Sequence, residues 1–241
     1  MKILIKHILL YFYFTTSILL SQQNFSGIVD YKSFTNSKKI EKLLSEKKQK
    51  TKNKKLLSLI KQSFEFKKPI NSKLQFSNNK GVFIVEDKMI RDDDLGQQMA
   101  VSRAGGSKEY YYNDNEKIYL IKECEALGEC FVFDNKFLKW NLTQETKEMN
   151  GYKVFKATRS NGKVIAWYTP SIPISFGPKG EYGLPGLILE LEIGKIIFRA
   201  TKIILNPKEK VVVERPKGGN RVSYEEYSSI MKKAKKSVFG N

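Results

Sequence analysis

Apolar and polar residues alternate with period two through most of this chain and take up a helical period in a few stretches. Residues 24–34 (NFSGIVDYKSF) read as a first strand, with Ile28, Tyr31 and Phe34 as its apolar surface. Asn36 or Ser37 is placed to cap a helix. Ile40, Leu43 and Leu44 then share one helical face, as do Leu56, Leu57 and Ile60. Between these faces runs KKQKTKNKK, residues 47–55, either a polar helical stretch or a break between two helices. Chemically it is a solvated basic face or a docking patch for an acidic partner. From Phe64 the period returns to two, in Phe64-Glu65-Phe66, Leu74-Gln75-Phe76 and Val82-Phe83-Ile84-Val85, with a turn at Asn78-Asn79-Lys80-Gly81. Residues 88–107 are polar, glycine-containing and aperiodic, and predict a long surface loop.

The second half is more regular. Tyr110-Tyr111-Tyr112, Lys117 to Lys122 and Phe131-Val132-Phe133 read as strands. Residues 137–147 (FLKWNLTQETK) alternate, with Leu138, Trp140 and Leu142 on one side. Asn150-Gly151 turns the chain into Tyr152 to Arg159, and Asn161-Gly162 turns it again into Lys163 to Thr169. Asn-Gly between alternating runs is a strong hairpin signal, because both central residues of a type I′ turn need φ > 0. The Pro-rich run 170–178 leaves the sheet, since it cannot donate a full ladder of N–H groups. Leu184-Pro185-Gly186-Leu187 fits a type II turn. Past it, Leu187, Leu189, Leu191 and Ile193 fall on one face, and Ile188, Glu190 and Glu192 on the other. Gly194-Lys195 closes a hairpin onto Ile196 to Ile204, and Asn206-Pro207-Lys208 leads to Val211-Val212-Val213. Ser223-Tyr224-Glu225-Glu226 matches a capping box that starts a basic C-terminal helix. The pattern predicts a β-dominated α+β fold: a curved antiparallel sheet, a meander or half-open barrel, with an N-terminal helical segment and a short C-terminal helix. Residues 22–241 read as one β-rich domain, with the meander spanning 137–214.

Composition adds a compartment. Lys2 and Lys6 precede the apolar run Ile8 to Leu20, and Ser21 is a small residue before Gln22. That is the layout of a signal peptide over residues 1–21. The apolar run is short of the ~20 residues a spanning helix needs, so the mature chain is expected to lack a transmembrane span and to be periplasmic or secreted. Its removal takes the net charge from +18 to +16. So basic a chain suits an anionic envelope ligand or surface. Nucleic acid fits poorly, because 37 of the 43 basic residues are Lys and base-reading sites favour Arg forks. The two cysteines, Cys124 and Cys130, suit a small disulfide loop in an oxidising compartment, or less well a redox pair, as the spacing is not CxxC.

Several words of the second half also fall in a familiar order. Phe137-Leu138-Lys139-Trp140, Gly151 to Ala157, Gly162-Lys163, Ala166-Trp167-Tyr168-Thr169, Ile172-Pro173, Gly177-Pro178 and Gly183-Leu184-Pro185-Gly186-Leu187-Ile188 together resemble the GLPGLI family. The resemblance covers about residues 130 to 205 and implies an exported protein of Gram-negative bacteria with an uncharacterised activity. It carries over no catalytic residue. In the family pattern a Cys often stands where this chain has Val154, so any role of that Cys is absent here.

The chemistry left open is narrow. The single His is His7, inside the signal, which removes Ser-His-Asp and Cys-His sites from the mature chain. No phosphate-loop, dinucleotide or GxSxG fingerprint occurs, and no cofactor is expected. Asp92-Asp93-Asp94 lacks the ligand spacing of a calcium loop, so no metal is expected. Trp140, Trp167, Tyr168 and Phe176 are candidates to line an apolar groove rimmed by the Pro/Gly-rich loop, or are ordinary core. Three function classes follow. The first is a non-catalytic envelope protein binding a hydrophobic or amphipathic ligand or an envelope partner. The second is a carboxylate-based hydrolase using acids such as Glu190 or Asp92, with Glu192 beside the former. The third is a structural or assembly factor docking through its C-terminal helix.

Overall fold

The chain's first strand and its last long one lie side by side. In a computed structural model, which describes residues 25–64, 66–86, 94–125, 127–136 and 138–239, β1 (Ser26–Thr35) pairs antiparallel with β11 (Ile196–Leu205) from Gly27 opposite Leu205 to Thr35 opposite Ile196. The signal-like residues 1–21, Asp92, Asp93 and Phe137 lie outside the described residues. On the far side of β1 follow β2 (Ile70–Ser77), β3 (Lys80–Val85), β4 (Glu109–Asn113), β5 (Ile118–Glu123) and β6 (Phe131–Asp134). On the far side of β11 follow β10 (Leu187–Ile193), β9 (Val164–Thr169), β8 (Tyr152–Arg159) and β7 (Asn141–Met149). A two-residue β12 (Asn220–Arg221) runs parallel to β6, so the sheet is mixed. Among the described residues it has twelve strands and does not close, ending at β12 and β7.

The hairpins form where the turn chemistry allows them. Asn78 and Asn79 take φ of 54° and 59° between β2 and β3, and Asn150 and Gly151 take 51° and 79° between β7 and β8, the left-handed pair a type I′ turn needs. Period-two patterning then sends Val29 and Tyr31 of β1, Leu74 and Phe76 of β2, Phe83 and Val85 of β3 and Phe198 of β11 into one core. Tyr111, Leu120 and Val132 form a smaller cluster, packed by Ile118 and Val213.

Four α-helices are present among the described residues. α1 (Ser37–Lys50) starts at Asn36, whose Oδ1 accepts from Lys39 N–H, and ends in Lys47, Lys48 and Lys50, which complement its dipole. Asn53 caps α2 (Lys54–Phe64), accepting from Leu56 N–H at 3.0 Å. α3 (Leu95–Ala104) lies where the sequence predicts loop; Asp94 caps it and Gly105, at φ 142°, ends it. α4 (Tyr224–Phe239) carries the predicted capping box: Ser223 N–H donates to Glu226 at 2.7 Å, and Glu226 N–H to Ser223 Oγ at 3.1 Å. Its Tyr227 stacks on Phe133 with ring centres 4.0 Å apart.

Three further expectations are displaced. Phe64 ends a helix instead of opening a strand, because it lies one turn from Ile60 on the same helical face. The antiparallel meander of the second half runs from Asn141 to Leu205. Val211-Val212-Val213 forms no strand and instead leads the chain toward β12.

Candidate functional site

The described surface holds a cavity of about 470 Å³ at the end of β1. Phe34 and Thr35 supply one wall from the strand, Ile40 and Leu44 another from α1, and Phe66 a third, while Glu41 and Lys61 bring charge to it. Its volume falls within the ~300–1,000 Å³ of small-molecule sites. Local structure fixes the walls. Asn36 ties the start of α1 to the sheet, since its N–H donates to Lys195 O at 2.8 Å and its Nδ2 to Glu192 at 2.9 Å. Lys39 pairs with the same carboxylate at 2.6 Å. Thr35 Oγ1 donates to Phe64 O, which holds the end of α2 against the end of β1. Ile40 and Leu44 face inward one helical turn apart, and Ile40 is buried.

A row of alternating charges and rings leads away from this cavity. The Arg199 guanidinium lies 5.2 Å from the Phe34 ring centre and donates to Glu190 at 2.6 Å. Lys147 donates to the other oxygen of Glu190 at 2.9 Å and lies 4.1 Å over Trp167. Such cation–ring contacts stabilise both partners where water is partly excluded. Glu190 is thus paired twice, and Glu192 is bound to Lys39 and Asn36, so the two carboxylates face separate cations. The strand that carries them is irregular. Ile188 lies opposite Tyr168 and Glu190 opposite Trp167, so Leu189 is an extra residue in β10. That bulge puts Ile188, expected on the glutamate face, fully into the core.

The Pro/Gly-rich excursion between Thr169 and Leu187 fills the sheet's mouth. Ile172, Phe176 and Leu184 are fully buried. Phe176 stacks on Tyr112 of β4 at 4.8 Å, and Tyr182 on Tyr119 of β5 at 3.7 Å. Tyr112 Oη donates to Gly177 O at 2.6 Å and accepts from Gly180 N–H at 3.0 Å. Asn135 Nδ2 donates to Gly180 O at 2.6 Å, and Trp140 Nε1 to Tyr182 O at 2.9 Å. Arg159 grips Glu181 with two N–H groups. Burial still pushes the Glu181 carboxyl up, against the opposing pull of Arg159. Burial also lowers the neighbouring Lys179 ammonium to about 8; its Nζ donates to Arg103 O at 2.5 Å.

The aromatic candidates are therefore dispersed. Phe176 lies in the core and Tyr168 is 5% exposed, beside Phe155. Trp167 lies on the opposite face of β9 under Lys147, and Trp140 anchors the excursion, with Arg159 5.5 Å from its ring. None of the four lines the cavity at α1. Gly183, Leu184, Pro185, Gly186, Leu187 and Ile188 form the passage from excursion to β10, without the expected type II turn. Gly186 N–H reaches Leu184 O at 2.8 Å, a tighter turn about Pro185, and Leu187 N–H goes to Ile172 O at 3.0 Å. Besides that one internal bond the segment bonds to the excursion, Gly183 N–H to Ser175 O at 2.9 Å and Ile188 N–H to Phe176 O at 3.2 Å. Cys124 and Cys130 are joined in a disulfide. Of the acidic triplet only Asp94 is described; it caps α3 and pairs with Lys67 at 2.9 Å. Among the described residues no three His, Cys, Asp or Glu side chains are placed to share a metal ion. No described helix is long and apolar enough to cross a membrane. Nothing in the sequence marks the cavity residues as a site. Phe34, Ile40, Leu44 and Phe66 read only as core positions, and nothing local says that α1 stops short of filling the space above β1.

Comparison with known proteins adds a family and a fold. Residues 158–190 match the family model described as "Protein of unknown function (Porph_ging)". That segment holds the end of β8, β9, the whole excursion and the start of β10. No curated protein matches the chain. Among solved structures, PNGF-II in space group P21 aligns with a TM-score of 0.53 at 13% identity, covering 87% of this chain and 34% of that one. PNGF-II in space group C2 aligns at 0.50 and 12%, covering 88% and 33%. The chain spans about a third of the length of these structures. At such identities the likeness is one of fold alone.

Proposed function

We propose that this chain is an exported envelope protein of the GLPGLI family that binds an anionic amphiphile with a single acyl chain. Binding, not catalysis, is its role. The observation that carries the reading is the cavity at α1, whose walls Phe34, Ile40, Leu44 and Phe66 suit a hydrocarbon chain and whose Lys61 suits an anionic head. Export is supported by Lys2, Lys6 and the apolar run Ile8 to Leu20. Family membership is supported by the hexapeptide Gly183–Ile188, which lies within the segment 158–190 that matches the uncharacterised Porph_ging model.

Native mass spectrometry and thermal unfolding with dodecanoate test the reading. A bound species and a raised Tm are expected. Leu44→Trp, which fills the cavity, is expected to abolish both, and Lys61→Glu to weaken binding about tenfold by placing a second carboxylate near the head. Clean ligand-free spectra in the presence of dodecanoate, with no shift in Tm, defeat the proposal.

A further inference from the structure

The outer side of the α1–α2 hairpin combines two properties that seldom occur together on a free surface. The first is apolar. At 100° per residue, Leu56, Leu57, Leu59, Ile60 and Phe64 occupy one arc of about 160° on α2. The body of the protein covers only one edge of that arc. Leu57, Ile60 and Phe64 are partly buried, whereas Leu56 and Leu59 are 44% and 54% exposed, and α2 has no buried residue. Met99, on the neighbouring α3, is exposed as well. Three of the six large apolar side chains exposed among the described residues thus belong to these two packed helices.

The second property is charge. Residues 38–61 carry ten lysines against Glu41 and Glu46, a net of +8. Lys39 is engaged with Glu192. Lys52, Lys54 and Lys55, which precede and open the apolar arc, are all exposed. No arginine occurs in the stretch. Lysines are mobile point charges on long apolar stems, suited to a diffuse anionic surface, whereas a folded acidic partner is matched better by fixed Arg forks.

We infer that this face docks on an anionic lipid bilayer, with Leu56 and Leu59 entering the boundary between headgroups and acyl chains and the flanking lysines meeting the headgroup charge. Short basic amphipathic helices bind membranes in this way, apolar burial and electrostatic attraction each supplying part of the affinity. The inference uses the outward side of α2 and does not depend on the cavity being filled.

Co-sedimentation with vesicles tests it, using the chain from residue 22 onward, which contains every described element. Binding is expected to vesicles of equal parts phosphatidylcholine and phosphatidylglycerol, and little to phosphatidylcholine alone. Added salt is expected to weaken it. Leu56→Ser with Leu59→Ser is expected to cut partitioning about tenfold, as is Lys52→Glu with Lys54→Glu and Lys55→Glu. All five positions are exposed, and unchanged thermal unfolding of each variant verifies that the fold is kept. Absence of binding to the anionic vesicles overturns the inference, as it must if the face serves an acidic protein instead. Binding that both variants retain in full overturns it too. Dodecanoate binding by the Leu56→Ser, Leu59→Ser protein is expected to remain intact, so failure of either proposal leaves the other standing.

Discussion

Lys179 stands where a lysine is costly. It lies in the tight turn Pro178–Gly180 at φ 55°, with Lys108, Arg103 and Glu181 as its charged neighbours. Burial is the main cause of its lowered pKa, about 8 against an ordinary 10.5; Lys108 adds to the effect, Glu181 opposes it, and Arg103 contributes least. A folded-state pKa below the unfolded one means that, between about pH 8 and 10.5, the unfolded chain binds a proton the folded chain has released. Stability from this group therefore rises with pH across that window. Lys179→Met removes the effect. The variant is expected to exceed the parent by about 1–2 kcal/mol near neutral pH, after allowance for partial exposure and one lost hydrogen bond, and the gap is expected to close toward about pH 10. Urea unfolding of both proteins at several pH values measures it. The buried tyrosines Tyr31, Tyr110 and Tyr112, held above their usual range by burial, titrate with the opposite sign but are common to both proteins and cancel. A gap that widens with pH contradicts the assignment. In the sequence, Lys179-Gly180-Glu181 reads as a polar connector. Its burial depends on Tyr110 and Tyr112, some seventy residues earlier, and no local pattern announces such a contact.

Elements were legible where a short-range physical rule governs them. The Asn-Gly turns, the Gly194-Lys195 hairpin and the Ser223 capping box all depend on residues within four positions of each other, and each lies where the pattern puts it. α3 was not legible by periodicity. Its fully buried positions are Ala100 and Ala104, too small to draw an apolar stripe, although Asp94 and Gly105 bracket it with ordinary cap signals. The candidate site was legible only as separate apolar positions on β1 and α1. The 183–188 passage shows how a local rule is overridden. Pro185-Gly186 has the composition of a type II turn, yet a Cβ on Gly186 would lie 2.1 Å from Thr169 O and 2.5 Å from Thr169 C, both backbone. The glycine is needed for close approach to the end of β9 as well as for its φ of 149°. Gly186→Ala is therefore expected to destabilise the fold by about 3 kcal/mol or more. At Gly183, whose φ is 88° but whose Cβ would meet nothing within 4 Å, Ala should cost only about 1 kcal/mol. Equal losses at the two positions, measured by thermal unfolding, would show that φ alone decides and that the contact with Thr169 does not matter.

At the scale of the whole molecule, two meanders share one sheet through the β1–β11 seam. The seam joins residues far apart in the chain, with Ser26 N–H donating to Asn206 Oδ1 across 180 residues, and beside it Tyr31 Oη of β1 donates to Ile188 O of β10 at 2.6 Å. Pairings so distant have no signature in sequence, because their register is fixed only when both strands bury the same faces. The excursion adds a second junction. It leaves the C-terminal meander and is held on β4 and β5 by Tyr112, Tyr119 and Asn135. With two junctions, neither meander can lose its packing without exposing the other's, so the described elements are expected to unfold together. Trp140 and Trp167 both belong to the C-terminal half and report it by fluorescence, while hydrogen exchange at the β3 amides reports the N-terminal half. The two are expected to give one free energy. Tyr112→Phe sharpens the test, since it strands Gly177 O and Gly180 N–H in the interior while keeping the ring on Phe176. Both probes are expected to fall by the same ~1–3 kcal/mol. A fall seen by one probe alone would mean that the seam joins two independently stable sheets, and that the excursion belongs energetically to only one of them.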